Sequence, residues 1–407
     1  MPRVNKLRTA PSGGLGGATA PLPPACLRTA LTVFFALDGF LFAGWVVRIP
    51  AIKHRTGATA STLGLALLGV SAGAVITMML TGRLCRRFGS HAVTVVCGVL
   101  LSLSIALPAR TGSALSLGLV LLLFGAAYGG MNVAMNSAAV DLVAELRRPV
   151  MPSFHAAFSF GGMAGAGLGG LVAGGLSPAT HLAALTCVGL VVTAVTGPAL
   201  LRGGTVTSSS GQPAANAPEP RKGTSARARR IVILFGVIAL CTAYGEGALA
   251  EWGALHLSQD LGASPGPAAA GYSLFALTMA VGRLTGTTLL ERFGQTRTLV
   301  AGGATAAAGM LLGALAPALW LALLGFAVAG LGLANIFPVA VGRAGALAGP
   351  SGVAAASTLG YGGMLLGPPV IGFLADWISL PVALTTVTLL AATAAVLGYS
   401  ARHATNS

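Results

Sequence analysis

Three charged side chains in this sequence stand deep in apolar runs, and two more stand near the ends of such runs. Asp38, Glu246 and Arg283 are the deep ones; Arg48 and Glu251 are near the ends. An ionisable group in hydrocarbon costs on the order of several kcal/mol unless it faces water, a partner or a ligand, so each is a candidate for function. A carboxyl group in such a place can bind and release a proton. An arginine there can hold a carboxylate, a carbonyl oxygen or an anionic ligand. At 1.5 Å per helical residue, Asp38 lies about 15 Å into its run, Glu246 about 22 Å and Arg283 about 12 Å. Asp38 and Glu246 are therefore candidate proton-coupling or substrate-binding groups, and Arg283 a candidate anion-binding group. Tyr244 and Gly245, beside Glu246, are expected to let a ligand approach closely. Each group also has a structural reading. The carboxylates can pair with a cation or a hydroxyl, and Arg283 can pair with an acid or snorkel to the nearer interface.

Uncharged polar groups form a second set. Asn132 and Asn136 are four residues apart and share one helix face. His155 falls at a similar depth at the start of the next run. The three either bind a polar substrate or tie their two helices together, the latter being common in membranes.

The elements that must carry these groups follow from composition. The chain has 407 residues, of which 55% are hydrophobic and 8% charged, with mean hydropathy +0.83. A soluble domain carries about 25% charged residues, so this chain cannot cover a water-exposed surface. Apolar runs long enough to cross a ~30 Å bilayer core occur near 28–48, 60–82, 92–109, 115–140, 153–175, 181–201, 231–255, 268–290, 297–316, 318–341, 351–376 and 380–400. The reading is an all-α integral membrane protein of about twelve spans. Residues 1–27 form a disordered tail, 28–201 one six-helix bundle, 202–230 a linker, 231–400 a second bundle and 401–407 a short tail. The linker is rich in Gly, Ser, Pro and Ala and cannot bury a core.

The net charge of +15 does not indicate nucleic acid, because the basic residues punctuate apolar runs instead of forming a polar face. With the N-terminus inside, 19 of the 24 Lys and Arg residues fall inside and 4 outside, Arg283 being within a span. The positive-inside rule then places both ends and the linker in the cytoplasm. Cys26, Cys85, Cys97, Cys187 and Cys241 are scattered and make no C-x-x-C pair, so neither a disulfide framework nor a metal site is expected. There is no G-x-x-x-x-G-K-[ST] loop for ATP and no Ser/His/Asp set in an aqueous setting. An enzyme is not expected; no cofactor is expected, and an ion gradient, most simply of protons, would drive transport.

The two halves repeat. Leu84-Cys85-Arg86-Arg87-Phe88-Gly89 closes span 2, and Leu289-Leu290-Glu291-Arg292-Phe293-Gly294 closes span 8, offset by 205 residues. Gly161-Gly162-Met163 matches Gly362-Gly363-Met364 at an offset of 201, and Asp38-Gly39 before Trp45 parallels Glu246-Gly247 before Trp252. Three matches at nearly one offset indicate a duplicated six-helix unit.

These residues resemble those of a major facilitator superfamily permease over nearly the whole chain. In that superfamily the loop after span 2 reads G-x-L-x-D-R-x-G-R-R. Gly82, Leu84, Arg87 and Gly89 fit it, while Arg86 stands where Asp is usual. Within the superfamily the chain is most similar to the YbjJ-like group, relatives of the fucose permeases. The carrying segments are Gly44–Ile52, Met131–Asn136, Arg148 to Ala156, and Glu251-Trp252. The resemblance implies two pseudo-symmetric bundles rocking around a central site, with spans 1, 4, 5, 7, 8 and 11 lining it. The expectation for the chain as a whole is a monomer that carries a small polar or amphipathic molecule across a bacterial cytoplasmic membrane. The resemblance also implies that the outer ends of spans 1 and 7 meet when the outside is closed, which makes Arg48–Glu251 a candidate gate ion pair. The glycine-rich span 5 resembles that of antiporters, except that Ala166 stands where they have proline. Import and export both stay open. A receptor or scaffold with the same fold is the competing class.

Overall fold

A computed structural model describes residues 23–146, 150–202 and 226–405. Arg147, Arg148, most of the N-terminal tail and most of the linker, with Arg221 and Lys222, lie outside them. Among the described residues the chain is helical throughout, without strands. The elements in order are α1 (Pro24–Val46), α2 (Ile49–Thr56), α3 (Ala60–Phe88), α4 (Ser90–Ser104), α5 (Ala114–Leu146), α6 (Met151–Ala173), α7 (Pro178–Arg202), α8 (Ala226–Gln259), α9 (Pro265–Leu315), α10 (Leu319–Leu333), α11 (Ile336–Trp377) and α12 (Leu380–Thr405).

Among the described residues, eleven stretches are long and apolar enough to cross a bilayer. The first limb of α9 is not among them. Ser273, Thr278, Arg283 and Thr285 dilute its hydrophobicity, yet it runs between the distal and proximal faces like its neighbours. With it the crossings number twelve, as the hydrophobic runs predict. An even number returns the start of α1 and the end of α12 to one face, here termed proximal; α2 and the α8–α9 turn lie on the other, distal face. Helix α9 is two spans joined at Gly294, whose φ of 74° and ψ of 167° break the helix. Gly89, between α3 and α4, takes nearly the same conformation, φ 85° and ψ 143°. Only glycine enters this region without a Cβ penalty. The loop repeat is thus a repeat of backbone geometry, and Gly89 and Gly294 are its fixed points. Around them Gly82 is half-buried and Arg86, Arg87, Glu291 and Arg292 are exposed, with the Arg87 guanidinium 5.2 Å from the Phe88 ring.

The helix pairing repeats as well. In the first half α1 packs on α6, α3 on α5 and α4 on α7. In the second, α8 packs on α11, the first limb of α9 on α10, and its second limb on α12. Between halves, α6 meets α9 and α3 meets α11, and a two-fold rotation exchanges these two contacts. Glycine permits the tightest of them. A Cβ on Gly161 or Gly165 would run into the carbonyl oxygens of Ala36 and Phe40 on α1. Gly170, on another face of α6, lies against Gly266 and Ala269 of α9. Helix α6 therefore touches its own bundle and the other one through small residues. Outward-facing Leu115, Leu171, Val195 and Trp377 are exposed, an apolar surface suited to lipid.

Candidate functional site

A cavity opens between the halves at the middle of the bundle. Its walls come from α1 (Phe42), α5 (Tyr128), α6 (Phe158, Ser159, Gly162), α8 (Glu246, Ala250), the first limb of α9 (Tyr272, Phe275, Arg283) and α11 (Met364). These are spans 1, 4, 5, 7, 8 and 11, the set expected from the resemblance. The free volume is about 100 Å³. One water needs about 10–15 Å³ by this measure, so the space has room for several waters but is smaller than a full cargo requires.

The polar chemistry of the cavity is concentrated at one point. Arg283 donates through one terminal nitrogen to Glu246 Oε2 at 3.3 Å and through the other to Ser159 Oγ at 3.4 Å. The two charged side chains are 24% and 26% exposed. Neither is locked away, and both distances are long for charge-assisted bonds. The pair therefore neutralises itself while leaving donors and acceptors free for a ligand. Arg283 and Ser159 belong to different halves, so this cluster also spans the contact between them. Tyr244 and Gly245 do not border it, contrary to expectation. The hydroxyls of Tyr244 and of Thr386 on α12 bond each other at 2.9 Å, and Gly245 faces Leu333 and Val387. Adjacent helical residues point about 100° apart, so neighbours of Glu246 cannot share its wall.

Asp38 occupies a different place. It is fully buried, and neither carboxylate oxygen has a hydrogen-bond partner among the described residues. It is not on the cavity wall. Phe34, one turn before it, packs against Gly98 of α4, as does Thr193 of α7, and Leu41, nearly a turn after it, approaches Gly189 of α7. Asp38 thus lies on the α1 stripe that faces the interior of the first bundle. The Thr193 hydroxyl is buried there and also has no partner among the described residues.

The expected Arg48–Glu251 pair is not formed. Arg48 follows the end of α1, and its side chain turns back into its own bundle. Its Nε donates to His181 Nδ1 at 2.8 Å and a terminal nitrogen to the Ala173 carbonyl at 3.3 Å. Glu251 is 6% exposed, and its Oε2 has no partner among the described residues. Asn132 and Asn136 do not tie α5 to α6 either. Asn136 Nδ2 donates to the Asn132 carbonyl at 2.8 Å and lies 3.4 Å from Asn132 Oδ1, so the bonding is within α5. His155 is exposed on α6, with its ring edge-on to Phe35 at 5.6 Å.

The distal closure instead rests on residues the sequence reading passed over. Asp376, at the end of α11, accepts from the Ala60 amide at 2.9 Å and the Ser61 amide at 2.7 Å. It caps the positive end of α3 from the other half. Ser71 Oγ donates to the Met364 carbonyl at 3.2 Å, Ser273 Oγ to the Met163 carbonyl at 3.2 Å and Lys53 Nζ to Gln259 Oε1 at 3.3 Å. All lie from the cavity level outward to the distal face, so the molecule is shut on that side. An acidic residue at the edge of an apolar run was the available signal for Asp376. Among the described residues no three His, Cys, Asp or Glu side chains gather as a metal site would require.

Two helical bundles of like pairing, with a polar cluster where they meet, make the fold of a polytopic membrane protein. The family is settled by comparison: the Major Facilitator Superfamily matches residues 29–252 and again 235–407, once for each half, and the chain belongs to it. An uncharacterized MFS-type transporter of Yersinia pestis is 34% identical over 378 residues, covering 92% of this chain and 95% of the relative. An uncharacterized transporter of Sinorhizobium fredii is 35% identical over 374 residues, covering 89% of this chain and 95% of the relative. Among solved structures, a bacterial homolog of the human lysosomal transporter Spinster, inward-facing and unoccupied, superposes with a TM-score of 0.75. That match covers 94% of this chain and 97% of the other at 15% identity. At that identity the likeness shows the fold alone. Members of the family are transporters and not enzymes, so a small-molecule cargo and a bilayer are this protein's partners.

Proposed function

We propose that the protein is a proton-coupled secondary transporter that moves a small polar or amphipathic molecule by alternating access, with Arg283 and Glu246 as the centre of the cargo site. The observation that carries this reading is the Arg283–Glu246–Ser159 cluster, which is polar, partly open and shared by both halves. A cargo that engages Arg283 competes with Glu246, and rocking moves Ser159 away from Arg283. Binding and conformational change then act on the same atoms. Glu246, once released from Arg283, and Asp38, which has no partner among the described residues, are the proton-carrying groups. The distal closure corresponds to a state facing the cytoplasm, with both chain ends inside, as the basic residues of the proximal loops support. The Gly44–Ile52 and Met131–Asn136 segments support placement in the YbjJ-like group, and the protein works as a monomer in a bacterial cytoplasmic membrane.

The test begins with a metabolite screen by thermal stabilisation of the purified protein. Ligands that stabilise it are then followed in proteoliposomes with an internal pH dye. Wild type should couple uptake or counterflow to proton movement, R283Q should lose flux, and D38N and E246Q should lose proton movement. Undiminished coupled proton movement in both D38N and E246Q would sink the coupling. Flux that survives R283Q would sink the site.

A further inference from the structure

A second cavity opens beside the first. It shares Phe42, Tyr128, Ala250 and Met364 with it and extends toward α3, past Val70 and Met78. Its free volume is about 40 Å³, room for a head group but not for a whole cargo. Three aromatic rings face it, from Phe42, Tyr128 and Tyr361, and so does one charged side chain, Glu251. Phe42 and Tyr128 are stacked with centroids 5.1 Å apart.

Among the described residues no cation serves Glu251. Arg48 is held by His181 and the Ala173 carbonyl, and Arg283 by Glu246 and Ser159. Of the hydroxyls in the wall, that of Ser71 is committed to the Met364 carbonyl. A carboxylate more than nine-tenths buried with an orphaned oxygen is costly unless it takes up a proton or a positive charge meets it. Aromatic faces around it add attraction for the same charge. A cargo anion would be repelled, and a neutral hydroxyl group would leave the charge unmet.

We propose that this side lobe is a subsite for an organic ammonium group of the cargo, with Glu251 as counter-ion and Phe42, Tyr128 and Tyr361 as the aromatic wall. The proposal rests on the reading of the central cavity as the cargo site, and it names the cargo class. Glu246 and Glu251 are five residues apart on α8, about 7.5 Å along the axis and some 140° around it. A cargo that reaches both lobes would place its ammonium at Glu251 and a polar or anionic group at Arg283.

Three probes with one aromatic body decide it: tyramine, its alcohol analogue tyrosol, and 4-hydroxyphenylacetate. Binding to the full-length protein in detergent is measured by calorimetry and by thermal stabilisation. Wild type should bind tyramine at least about tenfold more tightly than tyrosol, with 4-hydroxyphenylacetate weakest. E251Q should bring tyramine to the level of tyrosol, and E251D should retain part of the preference, which guards against a fold defect in one variant. Equal binding of tyramine and tyrosol by wild type overturns the proposal, as does a preference that survives in E251Q, or no tyramine binding at millimolar concentration. Failure of the transport reading looks different: tyramine would bind with its preference intact, yet show no counterflow in proteoliposomes.

Discussion

Arg283 is the residue on which most of the chemistry turns. It joins a carboxylate on its own half to a hydroxyl on the other, and its loss leaves Glu246 without a counter-charge. A fully buried pair broken on one side costs about 3–5 kcal/mol. Here a quarter of each side chain is exposed, so solvent reduces that, and about 1–2 kcal/mol is expected for R283Q. The double variant E246Q/R283Q should recover most of that stability while staying inactive, which separates the structural from the transport role. Thermal melts of the three proteins in one detergent provide the check. Gly294 is a second residue-scale case. A Cβ there meets nothing within 4 Å, so G294A costs only the strain of a positive-φ, extended-ψ backbone, about 1–3 kcal/mol. A melt of G294A unchanged from wild type would show that the kink is not fixed by this torsion.

Asp376 shows the same logic at the scale of elements. Its two oxygens hold the first amides of α3, so one side chain couples the end of α11 to the start of a helix in the other half. A carboxylate at a helix N-terminus contributes about 0.3–1 kcal/mol at an exposed site, and somewhat more with direct amide bonds. D376N should therefore shift the balance several-fold toward opening of the distal face. A cysteine at Ser273, in a chain otherwise free of cysteine, should become more reactive to an impermeant maleimide supplied on that side. Reactivity equal to that of the Asp376 parent would show that the clamp does not govern closure. Helices were the most legible part of the sequence, since each had to supply enough apolar length to cross a bilayer. The first limb of α9 was legible too, despite Arg283, as the apolar run 268–290. Side-chain partners across elements were not legible. Arg48 finds His181 133 residues away, and hydrophobic periodicity does not encode such a choice. The cavity aromatics Tyr128 and Tyr272 look in sequence like any other apolar-span residues. The charge types pointed to Glu246 and Arg283 as residues of interest, and the two meet in the cavity wall. The Arg48–Glu251 pairing required a side-chain direction that only packing decides.

At the scale of the whole molecule, the two bundles touch through a limited set of polar bonds and small-residue contacts. Helix α6 against α9, and α3 against α11, form the shared surface. Halves held in this way can separate on one side without disturbing the helix pairing inside either bundle. It follows that covalent continuity between them is dispensable once they are assembled. A protease site placed within residues 203–225 should, after cleavage, leave the two fragments co-purifying in mild detergent with ligand binding retained. Dissociation on cleavage would show that the linker, and not the interface, holds the halves together.

Gly89 and Gly294 carry a consequence for descent. The two loops now differ in charge, Cys85-Arg86-Arg87 in one and Leu290-Glu291-Arg292 in the other, yet their glycines share one unusual torsion. After an ancestral gene doubled, side chains at the two copies were free to drift, because each faced its own surroundings. The torsion was not free, because a reversal of chain direction in so short a space admits few solutions. Between the two halves of this chain the backbone angle is shared where the charges beside it are not.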